Sequence, residues 1–172
     1  MEAWQLAWIN DSKGVALGLL MNRKICGFYK DEDDDWVAML ACHHGQHVRN
    51  NPPFTNRPWV ESAEGRAEKL GVELNCVRCD RFEFPDGLAL YKQTPEFSES
   101  SIPAGLLRDH STKTGTWGLI KVREGQLHYT AGDHQQVVDE SEAGVVVPNM
   151  LHSVAPVAQV RFCVEFYRKE EV

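Results

Sequence analysis

The sequence predicts a mostly β protein in two parts, a short α+β unit followed by a small β-barrel. Three observations carry this. Beyond Pro85-Asp86-Gly87, short apolar runs recur with turn signals roughly every 8–12 residues, as in sandwiches and small barrels. Before that turn, cysteine and histidine gather in two clusters. Only one segment carries a helical apolar face with a cap at each end.

Composition narrows the function classes. Apolar residues make up 42% of the 172 and charged residues 25%, which is globular and excludes wholesale disorder. No run of about 18 uncharged apolar residues exists to cross a membrane as a helix. The stretch Val15 to Met21 is too short for a signal peptide. A net charge of −7 disfavours a general nucleic-acid binder and a basic membrane-surface protein. The five cysteines are odd in number and lack an export signal, so a cytoplasmic location is expected, where clustered cysteines more often bind metal than pair.

The elements follow in order. Residues 1–20 carry no period and read as an N-terminal extension, disordered or ordered, with Met1 and Met21 both open as starts. Residues 21–84 form the first expected domain and 85–172 the second, each expected to fold by itself. From Lys24 to Leu40 the pattern is a hairpin whose tip holds Asp31-Glu32-Asp33-Asp34-Asp35. A calcium loop needs oxygens at alternate positions, a central glycine and a distal glutamate, and that spacing is absent, so a solvated tip is expected. Prolines between 52 and 58 make a loop. Ser62 caps a short helix, Ala63, Ala67 and Leu70 share its face, and Gly71 stops it. A strand over Val72-Glu73-Leu74 leads to Cys76. In the second half, Thr116–Val122 and Gln126–Thr130 read as a hairpin about Glu124-Gly125, Val145–Val147 as a short buried strand, and Val160–Tyr167 as a long strand of period two.

The first cluster has the chemistry of a zinc site. Cys42-x-His44-x-x-His47 precedes Cys76-x-x-Cys79 by 28 residues. Zinc takes four sulfur or nitrogen ligands tetrahedrally, and a C-x-x-C turn lets two thiolates converge. Cys42, Cys76 and Cys79 are the firm ligands, and His44 and His47 are alternatives for the fourth. His43 points elsewhere in an extended chain. A segment of roughly 60 residues has a thin core that a structural metal can supplement, giving a zinc-ribbon-like unit. A redox C-x-x-C would need a helix N-terminus within a βαβ unit, which the pattern lacks. From residue 42 to 81, six Lys and Arg face five Asp and Glu, too small an excess for phosphate-driven binding.

This half resembles a small bacterial zinc-binding family. The resemblance rests on Gly27-Phe28, Trp36-Val37-Ala38, Cys42-His43-His44-Gly45-Gln46-His47-Val48-Arg49, Asn56-Arg57-Pro58-Trp59-Val60, Glu64-Gly65-Arg66 and Leu74-Asn75-Cys76-Val77-Arg78-Cys79-Asp80. It implies zinc binding and no reaction, and the family usually has glycine where His43 stands.

The second half resembles a cupin, a double-stranded β-helix barrel. Gly144-Val145-Val146-Val147-Pro148-Asn149-Met150-Leu151-His152-Ser153-Val154 looks like the second cupin motif, with His152 entering the barrel. The first motif is reduced to His110, and Trp117 stands near its expected glutamate. More closely, residues 89–168 resemble the cupin-like domain at the N-terminus of TehB tellurite-resistance proteins. Pro103-Ala104-Gly105, His110-Ser111-Thr112-Lys113-Thr114-Gly115-Thr116-Trp117, Gly125-Gln126-Leu127, Pro148, His152-Ser153-Val154 and Glu165-Phe166-Tyr167 carry that likeness. It implies a barrel linked to tellurite or related stress, without methyl transfer. His110 and His152, with Glu165, form a candidate set for a divalent metal, because two histidines and a carboxylate leave positions open. Trp117, Tyr129 and Tyr167 are candidate pocket walls, with core packing as the alternative.

Three functions follow: a metal-binding, non-enzymatic or weakly catalytic protein whose barrel takes a small molecule or oxyanion; a metal-dependent cupin dioxygenase or isomerase; and a zinc-knot interaction module with a ligand-sensing barrel. Expected partners are a small-molecule or oxyanion ligand and a second copy in a homodimer, with no membrane and no nucleic acid.

Overall fold

The computed structural model describes residues 21–170, so the expected extension over residues 1–20 lies outside the described residues. The chain is mostly β. The first sheet contains β1 (Asn22–Lys30), β2 (Trp36–Leu40), β3 (Gly45–His47) and β4 (Glu73–Asn75), in the order β3-β2-β1-β4. A 3-10 turn at Pro58–Val60 and helix α1 (Ala63–Ala67) link β3 to β4, and one-turn helix α2 (Val77–Asp80) follows. Ser62 accepts from the Gly65 N–H at 3.0 Å, as its capping role requires.

Strand β1 explains why the two donor turns meet. It is antiparallel to both neighbours, with Ile25 opposite Leu40 and Asn22 opposite Asn75. Strands β2 and β4 therefore both end beside the start of β1, and the turns that follow them carry Cys42 and Cys76 to one place. The acidic hairpin tip is closed by Asp31, whose carboxylate accepts from the Asp33 and Asp35 N–H groups.

The second sheet runs β5-β10-β7-β8, from β5 (Ala89–Gln93), β7 (Trp117–Ala131), β8 (His134–Val138) and β10 (His152–Arg168). Strands β6 (Phe97–Ser98) and β9 (Gly144–Val146) pair with β10 and β7. The hairpin expected about Gly125 does not form. Instead β7 runs unbroken through it and pairs with β10 from Trp117↔Tyr167 to Ala131↔His152. Gly125, at φ +78°, sits where the register shifts, and a Cβ there would lie 2.1 Å from the Gln159 carbonyl oxygen. Its glycine bends one long strand rather than turning the chain back.

The expectation of separately folding halves meets a shared core. One buried cluster joins Met21, Ile25, Leu40 and Val60 of the first half to Trp117 and Val147 of the second. The other, with Ile120, Leu127, Tyr129, Val146 and Phe162, lies within the second sheet. Trp117, expected as a pocket wall, is fully buried at the junction and donates its indole N–H to the Cys42 carbonyl at 2.9 Å. Burying an aromatic of this size removes about 150–250 Å² from water, worth about 4–6 kcal/mol.

Candidate metal centre

Cys42 and His44 stand in the tight turn between β2 and β3, which is closed by Leu40 N–H to His44 O at 2.9 Å and His43 N–H to Leu40 O at 2.8 Å. His43 takes φ 69° there, a left-handed conformation that favours glycine. Its side chain leaves the cluster and meets the loop at Gly115. Cys76 is the N-cap of α2, and its Sγ accepts from the Cys79 N–H at 3.5 Å. That turn of helix folds Cys79 back beside Cys76.

The donor atoms of Cys42, His44, Cys76 and Cys79 all lie within 4.8 Å of one another, and all four residues are buried. His44 Nδ1 is 3.7 Å from Cys42 Sγ, 3.3 Å from Cys76 Sγ and 3.6 Å from Cys79 Sγ. Cys42 and Cys76 sulfurs are 3.7 Å apart, too far for a disulfide and all three thiols are free. These separations could hold a metal ion. Bonds of about 2.3 Å to sulfur and 2.0–2.1 Å to nitrogen, spread tetrahedrally, put sulfurs about 3.8 Å apart and nitrogen about 3.6 Å from sulfur.

Three thiolates repel one another at this spacing, and the protons divide accordingly. Hydrogen bonds from Cys42, Cys79 and His44 hold Cys76 far below the usual thiol range. Donation to Cys76 pushes Cys42 up to about 11, and the bonds of Cys79 to Cys42 and Cys76 push it up further. The His44 Nε2 has no hydrogen-bond partner and lies in a buried shell, with Trp117 packed edge-on at 5.2 Å between ring centroids.

His47 does not join these donors. Strand β3 runs back along β2, so by position 47, opposite Val37, the chain has left the metal end. The ring instead pairs with Asp31 Oδ2 at 2.6 Å, and its side chain is 52% exposed. That pair holds the Asp31 carboxyl below its usual range.

In the second sheet the structure brings His110 and His152 together. They form an isolated antiparallel bridge, with N–H to O distances of 3.0 and 2.8 Å, and their ring centroids are 4.1 Å apart. Both line a cavity of about 380 Å³. Glu165 does not reach them. Its neighbours Val164 and Phe166 line that cavity, so the period of two turns Glu165 to the opposite face, where it accepts from the Tyr167 hydroxyl at 2.8 Å. Tyr129 and Tyr167 are likewise absent from the lining. Lys92, which sequence reasoning passed over, and Lys113, which it quoted only as part of the His110–Trp117 motif, are in it. Among the described residues, Cys42, His44, Cys76 and Cys79 are the one group of three or more side chains spaced to share an ion.

Residues 26–83 match the family model described as a protein of unknown function, DUF3565. Residues 92–164 match the TehB-like domain model, so two segments of the chain match different family models. Curated relatives from two Haemophilus influenzae strains, each called a probable S-adenosyl-L-methionine-dependent methyltransferase TehB, are 32% identical over 92 residues. The match covers 49% of this chain and spans about a third of the relatives' length, 32%. A crystal structure of TehB from Haemophilus influenzae has 27% identity and a TM-score of 0.46, over 49% of this chain and 32% of that one. A crystal structure of an E. coli (strain K12) protein has 19% identity and a TM-score of 0.49, over 52% and 98%. No helix among the described residues is long and apolar enough to cross a membrane.

Proposed function

We propose that this chain is a non-enzymatic metal-binding protein in which a zinc-stabilised unit over residues 21–84 is packed on a cupin-like barrel over residues 85–172, and that the barrel binds a small molecule or oxyanion. The observation that carries the reading is the buried set Cys42, His44, Cys76 and Cys79, whose donor atoms lie within 4.8 Å. Three sulfurs and one imidazole nitrogen suit zinc, and a buried set of four protein donors has no position left for substrate. Zinc there would act through folding rather than through chemistry. The TehB-like match supports a relation to tellurite or related stress. Methyl transfer belongs to the name of the relatives, of which this chain spans about a third, 32%.

Elemental analysis of the full chain, purified without added metal, tests the reading. One zinc per chain is expected, lost on Cys76→Ser. A metal-free wild type that keeps its cooperative unfolding would overturn it.

A further inference from the structure

We infer that the cavity of the second sheet is built for an organic acid that carries both an apolar body and a hydroxyl group beside its carboxylate. This rests on the reading of that sheet as a small-molecule or oxyanion binder and names the class it takes.

Sign comes first. Lys92 and Lys113 line the cavity and are exposed, which places them at its rim. Neither is in an ion pair among the described residues. No aspartate or glutamate is in the lining. A carboxylate at the rim therefore meets two ammonium groups and the hydroxyl of Thr116, while the Thr112 hydroxyl is spent on the Thr116 carbonyl at 2.7 Å and the nearest acid, Asp109, stays outside the lining although its charge reaches His152.

Volume and wall chemistry come second. About 380 Å³ lies within the small-molecule range. Ile120, Val146, Val164 and Phe166 supply apolar wall, and the first three belong to the buried cluster of the sheet. A bare inorganic oxyanion would use the lysines and leave this wall without a partner. Filling it takes hydrocarbon.

The histidine tautomers come third. His110 Nδ1 is 2.9 Å from the Arg108 carbonyl oxygen, and His152 Nδ1 is 2.9 Å from that of Met150. A carbonyl oxygen only accepts, so each Nδ1 carries the proton, and in a neutral ring the lone pair is at Nε2. Neither Nε2 has a protein partner among the described residues. Burial holds His152 below the ordinary histidine value, which keeps its ring neutral near pH 7. The two rings lie 4.1 Å apart between centroids in the lining, so an unpartnered Nε2 lone pair there calls for a donor from the guest. A hydroxyl next to the carboxylate supplies it, while the carboxylate stays with the lysines.

Mandelate is the probe: it has the carboxylate, the adjacent hydroxyl and a phenyl body. Calorimetric titration of the full chain is expected to show saturable mandelate binding, about tenfold weaker for phenylacetate, which lacks the hydroxyl. Lys92→Ala with Lys113→Ala is expected to weaken mandelate by about tenfold or more. Independently of any variant, mandelate should shift the ring-nitrogen resonances of His110 and His152 and leave those of His44 in place. Equal binding of phenylacetate and mandelate would remove the hydroxyl from the inference. Tellurite binding without mandelate binding would overturn the inference and leave the broader reading standing. If neither binds, both fall. A second divalent metal per chain, held by His110 and His152, would also overturn it.

Discussion

His44 and the pair His110–His152 put one residue type to opposite uses. His44 aims Nδ1 at three thiols, and its Nε2 is sealed in the core under Trp117. His110 and His152 spend Nδ1 on backbone carbonyls and line a cavity. The first site has four buried donors within 4.8 Å of one another; the second has two histidines in the lining of about 380 Å³. The contrast teaches that donor count and enclosed volume, rather than residue type, separate a site that holds the chain together from one that admits a guest.

The largest expected effect tests the closed site. Cys76→Ser, read by elemental analysis and near-ultraviolet dichroism, is expected to lose the zinc and the cooperative unfolding of the first half, because structural zinc binding is folding free energy. An unchanged melting profile with zinc retained would put His44 and His152 in the same class. Next comes the junction between the regions. Trp117→Ala is expected to cost about 3–5 kcal/mol in urea unfolding and to split a single transition into two. A single transition with a cost under about 1 kcal/mol would show that the halves do not depend on this contact.

A smaller effect separates the sites by pH. Burial depresses the folded-state value of His152 below 6.5, so its neutral form favours the fold. The sign follows: this stability is present above about pH 6.5 and is lost as pH falls through the lower folded-state value. Urea unfolding between pH 8 and 5, with zinc content measured at each point, should show that loss in the wild type and less of it in His152→Gln. The smallest effects belong to the two residues outside both sites. His47→Ala should keep one zinc per chain and nearly the same melting temperature, since its contact with Asp31 is at the surface. Glu165→Gln should leave mandelate binding unchanged; a clear loss there would bring that face of β10 back into the site.

Much of the first site was legible in the sequence. The spacing of Cys42, Cys76 and Cys79 announces soft donors, and one of two histidines had to complete them. The choice between His44 and His47 depends on where β2 turns into β3, and that turn is closed by His43 at φ 69°. A glycine there would have announced the turn; a histidine conceals it. The convergence of His110 and His152 was readable from motif placement. The side of β10 on which Glu165 lies was not, because Val164, Glu165 and Phe166 alternate about a strand whose two faces are both partly covered. The missed hairpin has a similar cause: the glycine that begins a turn and the glycine that relieves a bulge look alike until the partner strand is placed. Lys92 carried no signal, being a single cation on an unremarkable segment, and Lys113 stood inside the His110–Trp117 motif without being singled out.

The buried contact between Trp117 and the Cys42 carbonyl bears on how the polypeptide could be divided. A cut between residues 84 and 85 would leave the first piece with Ile25, Leu40 and Val60 open to water, and the second with Trp117 and Val147. Each piece would present a raw greasy surface that matches the other, the usual recipe for clumping. Mixed together, the same two pieces would be expected to find one another and restore a soluble particle, so that a family boundary legible in sequence need not be a place where the molecule comes apart.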